Sequence, residues 1–438
     1  MGKTFRPWDV DQSWLLPPSI QEFVPAGHPA HFIRDTVREG LDLSAILSTY
    51  TEARGYPPFH PAMMVALLLY GYSRGVYSSR KLAQACEERV DFMAVTGMNR
   101  PDFRTISLFR LRHLEALSDL FVQVLQLCKA AGLVKLGHVA VDGTKLKANA
   151  SRHKAMSYGR MKTREDQLAR EVASWLRKAQ AADAEEDKAY GPDARGDEMP
   201  EWVADRQLRL ERIRKARAEL EAEAAKDPDD LDPDGPGPSS GMQSKGRPRR
   251  AADGGPPDQA QRNFTDPDCR MMATRDGFIA GYNGQIAVDH AHQIIVAQRL
   301  VTSATDYTCL EPLMDQARSH LARYPREVSA DTGYASEANL AAMAARKIRA
   351  YLAPSRGARR NLSPGSRMAE MAKTLKRAGH RSRYRLRKQT VEPVFGQIKQ
   401  ARGFRQLHLR GLQKVRAEWS LICIAHNLTK LAKAAAPA

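Results

Sequence analysis

The spacing of apolar residues changes character near residue 138, and this change most limits what the chain can fold into. Before it, apolar residues recur at helical spacing. The run Met63-Met64-Val65-Ala66-Leu67-Leu68-Leu69-Tyr70, opened by Pro61, reads as a helix. Shorter helices are expected over Ser44 to Tyr50 with Ser44 as cap, over Arg80 to Cys86 behind Ser78-Ser79, and over Ile106 to Leu117 behind Asp102 or Thr105. From His138 the period is that of strands. His138-Val139-Ala140-Val141-Asp142 predicts a strand ending at Asp142, and Phe278 to Asp289, Ile294 to Val301, Arg326 to Asp331 and Ile348 to Leu352 predict four more. Leu310, Leu313, Met314, Ala317 and Leu321 fall at helical spacing, and Glu337 to Lys347 reads as helical. The fold class expected is α/β: a mixed sheet with flanking helices, preceded by an all-α N-terminal domain.

A long insert separates the first two strands. Leu168, Val172, Trp175 and Leu176 mark one amphipathic helix, and Val203, Leu210, Ile213, Ala216 and Leu220 mark another, so a helical hairpin is expected over 153–226. Residues 227–262 are rich in Pro, Gly, Asp and Ser, bury too little apolar surface to fold alone, and are expected to be a disordered linker. The helical domain then covers 1–130, and the sheet domain is built from 131–152 and 263–438.

Charge is concentrated late in the chain. Pro354 to Gly411 holds 16 lysines and arginines against two acids, Glu370 and Glu392, and so carries +14 of the net +18. Such a segment suits a polyanion, nucleic acid before membrane. Arg104, Arg110 and Arg112 lie among short capped helices, which suits either a helix-turn-helix reader or a bundle with a solvated basic face. The apolar run at 63–70 falls far short of the ~20 residues a spanning helix needs. Met1 to Trp8 contains no apolar run, so a secretory leader is not expected. Cys86, Cys128, Cys269, Cys309 and Cys423 form no Cys-x-x-Cys pair, which argues against a zinc ribbon and fits a reducing compartment. A soluble, cytoplasmic protein with no membrane partner is expected.

Three carboxylates stand out by context. Asp142 and Asp331 each end a predicted strand, where open α/β sheets place their sites, and Glu392 lies inside the basic segment. Taken singly, Asp142 reads equally as a turn residue, Asp331 as a helix cap and Glu392 as a solvated helix residue. Converging, they would repel one another unless cations bind. Two Mg²⁺ ions on such oxygen ligands would activate a water and support the leaving oxygen of a phosphodiester, while arginines and lysines hold the backbone.

At these residues the chain resembles a family. The segments Phe5-Arg6-Pro7-Trp8, Pro61 to Ser73, Val141-Asp142-Gly143-Thr144, Thr265-Asp266-Pro267-Asp268, Gly281-Tyr282-Asn283, Ala330-Asp331-Thr332-Gly333-Tyr334 and Val391 to Lys399 resemble the DDE transposases of bacterial insertion sequences, closest to their IS-eleven-eighty-two-like group. The resemblance implies a ribonuclease-H-like catalytic domain in which Asp142, Asp331 and Glu392 are both the catalytic and the metal-binding triad, loaded with two Mg²⁺ ions for which Mn²⁺ can substitute. It implies an enzyme that cuts insertion-sequence ends and joins the 3′-OH to target DNA. Its partners are then double-stranded DNA, as terminal inverted repeats and target, and further copies of the chain in a homodimer or larger synaptic assembly. Rival readings are a non-cutting DNA-binding regulator derived from a transposase and a ribonuclease-H-like nuclease without strand joining. Candidate DNA-binding residues are Arg383, Arg385, Arg387, Lys388, Lys399 and Arg402. Related enzymes carry a Tyr, Arg, Glu, Lys signature with two, three and six residues between. Tyr384, Arg387, Glu392 and Lys399 match it except that four residues separate Arg387 from Glu392, so Arg387 or Lys388 fills the second place. Pro393 is expected within the first turn of its helix, which would start near Val391 or Glu392. Arg270 is a further candidate DNA contact, and His138, His290 and His292 lack metal-ligand spacing.

Overall fold

The computed structural model describes residues 19–51, 57–190, 201–225, 255–274, 276–354, 362–379 and 382–436. The Phe5-Arg6-Pro7-Trp8 motif and the linker residues 227–254 lie outside this set. The N-terminal region is helical: α1 (Pro29–Asp35), α2 (Ser44–Leu47), α3 (Pro61–Ser73), α4 (Ser79–Glu88), α5 (Val90–Thr96), α6 (Phe103–Arg112) and α7 (Leu114–Ala130). Pro61 opens α3, where its missing N–H costs nothing, and the His60 ring accepts the Ala62 N–H. Asp102, rather than Thr105, caps α6 by accepting the N–H groups of Arg104 and Thr105. Ser44 is not a cap: it is the first residue of α2, and its own N–H bonds to the Asp42 carboxylate.

The sheet is mixed. Strand β1 (His138–Lys147) runs parallel to β7 (Glu327–Ala330), which runs parallel to β8 (Arg349–Leu352). On its other side β1 pairs antiparallel with the long β5 (Gly277–Asp289), which also pairs with β4 (Arg270–Thr274) and β6 (Ile295–Val301). Helices α10 (Leu310–Leu321) and α11 (Glu337–Ala345) connect the later strands. The basic segment forms α12 (Arg367–Ala378) and α13 (Leu386–Gly396), and α14 (Leu412–Ala435) closes the chain. The expected strands at 278–289, 294–301, 326–331 and 348–352 are therefore present to within a residue or two. The expected architecture, a helical region followed by a mixed sheet with flanking helices, is present as well.

Three further expectations are corrected. First, β1 does not end at Asp142. Its pairing with β5 continues to Lys147, while its parallel neighbour β7 stops at Ala330, opposite Val141. The carboxylate thus lies mid-strand, beside the gap where β7 has ended. Second, the part of 227–262 that is described is structured. Gln261–Asn263 forms β3, which pairs with β2 (Ala155–Ser157), and the Ala260 carbonyl accepts the Tyr158 N–H at 2.8 Å. Third, α13 begins at Leu386, so Pro393 sits in its interior. The Gln389 carbonyl, which Pro393 cannot serve, accepts Gln293 Nε2 at 3.1 Å instead.

In the insert α8 (Tyr158–Tyr190) packs against α9 (Glu201–Ala225), with a small core of its own around Met161, Leu168, Ile213 and Leu220. Elsewhere one core runs through the N-terminal helices, the sheet and α14 without a break. Helix α14 is buried nearly all round over Trp419–Leu428, the pattern of a helix covered on every side. It packs on α3, α7 and β6. Trp419 packs closely on β5 because Gly284 has no side chain: a Cβ there would stand 3.0 Å from the indole. All five cysteines are buried and unpaired. No helix among the described residues is long and apolar enough to cross a membrane.

Candidate active site

Asp142 and Asp331 are 189 positions apart in sequence, yet the sheet makes them neighbours. The register sets Val141 opposite Ala330, so the next residue of each chain falls at the same level, where β7 gives way to a short 3₁₀ turn, Thr332–Tyr334. Asp331 caps that turn, its Oδ1 accepting the Gly333 N–H at 2.7 Å. Helix α13 packs across β1 and delivers Arg387. Arg387 Nη1 donates to Asp142 Oδ2 at 2.8 Å, and its Nη2 stands 3.9 Å from Glu392 Oε1. Residues five apart on a helix are displaced by about 140° around it, and only a long side chain bridges that. The half-buried Tyr384 stands beside the same guanidinium.

Burial raises the pKa of Asp142 to about 6. Arg387 opposes the rise and Asp331 adds to it. Burial likewise raises the Tyr384 phenol and lowers the Lys399 ammonium. Among the described residues no three side chains of His, Cys, Asp or Glu are grouped to hold one ion, and Arg387 supplies the cation between Asp142 and Glu392. The donors are nevertheless hard carboxylate oxygens of the kind that Mg²⁺ takes, and a buried carboxylate beside a second one gains from an added cation. The residues fit a divalent ion held from Asp142 and Asp331, with Glu392 at the exposed side.

The candidate cations divide. Lys388 and Arg385 are exposed. Arg383 is exposed and pairs with Glu327 Oε2 at 2.7 Å. Lys399 lies in a π-helical turn, Gln397–Ala401, and donates to the Lys145 carbonyl of β1 at 2.9 Å. Arg402 is largely buried, and burial lowers its pKa to about 10. In the N-terminal region Arg110 is buried against Tyr72, the Tyr77 carbonyl and Ser79, whereas Arg104 is exposed. Arg270, a candidate DNA contact in the sequence, instead pairs with Glu223 of α9 and fastens the hairpin. Asp266 accepts the Tyr282 hydroxyl, and Asp268 accepts the Leu412 N–H at the start of α14, so that loop is structural. His138 bonds Ser329 and His290 bonds Thr390, as side chains of the fold.

Lysines and arginines also line two clefts. One, of about 600 Å³, is lined by Lys145, Lys147, Arg152, Lys399 and Arg405, with the exposed Phe278 at its edge. The other, of about 630 Å³, is lined by Lys135, His138, His290, Arg383 and Arg385. Lys145, Lys147, Arg152 and Arg405 escaped the sequence reading because three of them lie outside the basic segment and nothing local marks them. The alternation along β1, which turns Lys145 and Lys147 to one face, was the available signal.

Two family models match the chain. Residues 256–428 match the family model described as Transposase DDE domain, and residues 18–112 match that described as Transposase domain (DUF772). The chain thus carries a DDE transposase catalytic domain behind a transposase N-terminal domain. Enzymes of this class bind DNA and generally use divalent metal ions. The first match takes in Asp331 and Glu392, and Asp142 lies ahead of it, across the insert. No curated protein and no solved structure matches the chain.

Proposed function

We propose that this protein cuts DNA at the ends of an insertion sequence of the IS-eleven-eighty-two-like group and joins the freed 3′-OH to target DNA, with Asp142, Asp331 and Glu392 holding two divalent ions. The single observation that carries this reading is the meeting of Asp142 with Asp331 at the end of β7, joined by Glu392 through Arg387. Bound there, Mg²⁺ or Mn²⁺ supplies an acidified nucleophile and support for the leaving oxygen. The protein's own groups do the rest. Arg387 restrains the mutual repulsion of the carboxylates until DNA and ions arrive. The exposed Lys388 then takes the phosphate-contacting place in the signature, with Arg385 and the two basic clefts holding the backbone. The N-terminal helices supply preference for the terminal inverted repeats. The reaction proceeds in the cytoplasm within a homodimer or larger synaptic assembly.

The test pairs two assays on the full chain at one fixed salt concentration. Asp142→Asn, Asp331→Asn and Glu392→Gln are each expected to abolish cleavage of end-containing DNA in Mg²⁺ and to leave binding of that DNA unchanged or slightly tighter. An amide keeps the size of the acid but is a poor ligand for a hard ion. Near-normal cleavage by any one variant would remove that residue from the active site.

A further inference from the structure

Asp331 stands on a short turn, and residues outside the triad hold that turn from behind. Asp306 follows β6 in the loop that leads to α10. Its Oδ1 accepts from Asn283 Nδ2 at 2.6 Å and from Gln285 Nε2 at 2.7 Å, and Lys145 Nζ stands 3.7 Å away. Its Oδ2 faces Gly333: a Cβ on that glycine would be 3.2 Å from Asp306 Oδ2 and 3.0 Å from Asp331 Oδ1. Gln285 carries the contact onward, because its Oε1 accepts the hydroxyl of the fully buried Tyr334, the last residue of the Asp331 turn. Asn339 ties the same two segments by donating to the Tyr307 and Tyr334 carbonyls. The amides come this close to β1 only because Gly143 has no side chain, since a Cβ there would overlap the Gln285 amide.

We propose that Asp306 is a positioning residue: through Gln285 and Tyr334 it fixes the Asp331 turn against β1 and so sets where the Asp331 carboxylate stands. The proposal rests on the reading of Asp331 as a metal-holding acid. Asn283 and Gln285 are fully buried and aim two N–H donors at one oxygen. Taking that oxygen away strands the Gln285 donor, leaves Asn283 Nδ2 only its bond to the Ser303 carbonyl at 3.2 Å and frees the turn, whereas a satisfied buried network is rigid.

The experiment uses the full chain with Asp306→Ala, Asp306→Asn, Tyr334→Phe and the double variant Asp306→Ala/Tyr334→Phe. Mn²⁺ binding is read without DNA from the loss of the free-ion paramagnetic resonance signal, alongside cleavage of end-containing DNA in Mg²⁺ and binding of that DNA. Asp306→Ala is expected to weaken Mn²⁺ binding about 10-fold and to slow cleavage on the order of 100-fold, with DNA binding unchanged. Asp306→Asn keeps an oxygen for both amides and is expected to restore both to within a few-fold. Tyr334→Phe should cause a smaller loss, and the double variant should be no worse than Asp306→Ala, since both break one relay. The proposal fails if Asp306→Asn is as damaged as Asp306→Ala, which would make the charge rather than the acceptor the need. It fails equally if Asp306→Ala binds Mn²⁺ normally, or if the two losses add. If Asp306→Ala does not fold, Asp306→Asn and Tyr334→Phe decide the matter: a damaged Asp306→Asn or an undamaged Tyr334→Phe overturns the relay. Asp331→Asn with normal Mn²⁺ binding and cleavage would sink the underlying reading whatever Asp306 does.

Discussion

Asp142 shows how burial and charge compete at a single residue. Its folded pKa is raised to about 6 chiefly by burial, so the fold prefers the protonated acid. A raised folded pKa contributes stability that is complete below the unfolded value near 3.8 and is lost as pH rises through about 6. In chelator, Asp142→Asn should therefore be more stable than the parent at pH 8 by about 1–3 kcal/mol, and the gap should close by pH 4. Urea unfolding at the two pH values checks this, and an equal or less stable variant at pH 8 would mean that Arg387, not burial, governs the residue. The arginines divide on the same grounds. Neutralising Arg383, Arg385 and Lys388 together should lower the salt dependence of DNA binding by up to about three units if each meets a phosphate. Arg110→Ala should leave that slope alone and cost about 1–3 kcal/mol of stability, because it strips buried partners. Residue type and sequence neighbours marked Asp142, Asp331 and Glu392 as candidates. They could not separate Arg383 from Arg110 or Arg270, since a guanidinium looks alike in sequence whether it faces solvent or a buried carbonyl.

At the scale of elements, α13 is the instructive case. Local rules put Pro393 in a first turn, and the helix instead runs seven residues ahead of it from Leu386. What overrides the rule is Gln293. Its amide serves the orphan Gln389 carbonyl, its Oε1 accepts Lys430 Nζ at 2.7 Å, and its backbone carbonyl meets His426. This helix carries both Arg387 and Glu392, so the bond bears on the site. Gln293→Ala should cost about 1 kcal/mol in thermal unfolding and lower cleavage more than DNA binding, whereas a variant that melts and cleaves like the parent would show that water serves the carbonyl equally well. Strand spans and the amphipathic helices of the insert were legible, because period and burial agree there. The continuation of β1 past Asp142 and the small β2–β3 ladder were not, because a strand's length depends on which neighbours remain to pair with it.

Across the whole molecule, one core joins the N-terminal helices to the sheet domain, with α14 wedged between them. Tyr72 stacks on Phe404, Tyr77 packs on it at a tilt, and Gly75 packs against the Arg402 backbone, just beyond the π turn that carries Lys399. Residues 1–130 made alone should not melt cooperatively, because α3 and α7 would expose the faces that α14 covers. In the full chain, amide exchange should protect α3, α7, α14, β1 and β5 as one unit, with α8 and α9 opening earlier around their separate small core. Independent melting of the N-terminal helices would refute the shared core. The sequence by itself determined the order of elements, the α-then-mixed-sheet architecture and three acids worth following, since periodicity, capping and strand-end chemistry act over a few residues. Only the tertiary structure decided that β7 stops one residue short of Asp331, that Arg387 turns inward while Lys388 stays outside, and that Asp306 reaches the Asp331 turn through Gln285. Those outcomes depend on register and on contacts between residues 21 to 245 positions apart, where burial and hydrogen-bond geometry, not local preference, set the energy.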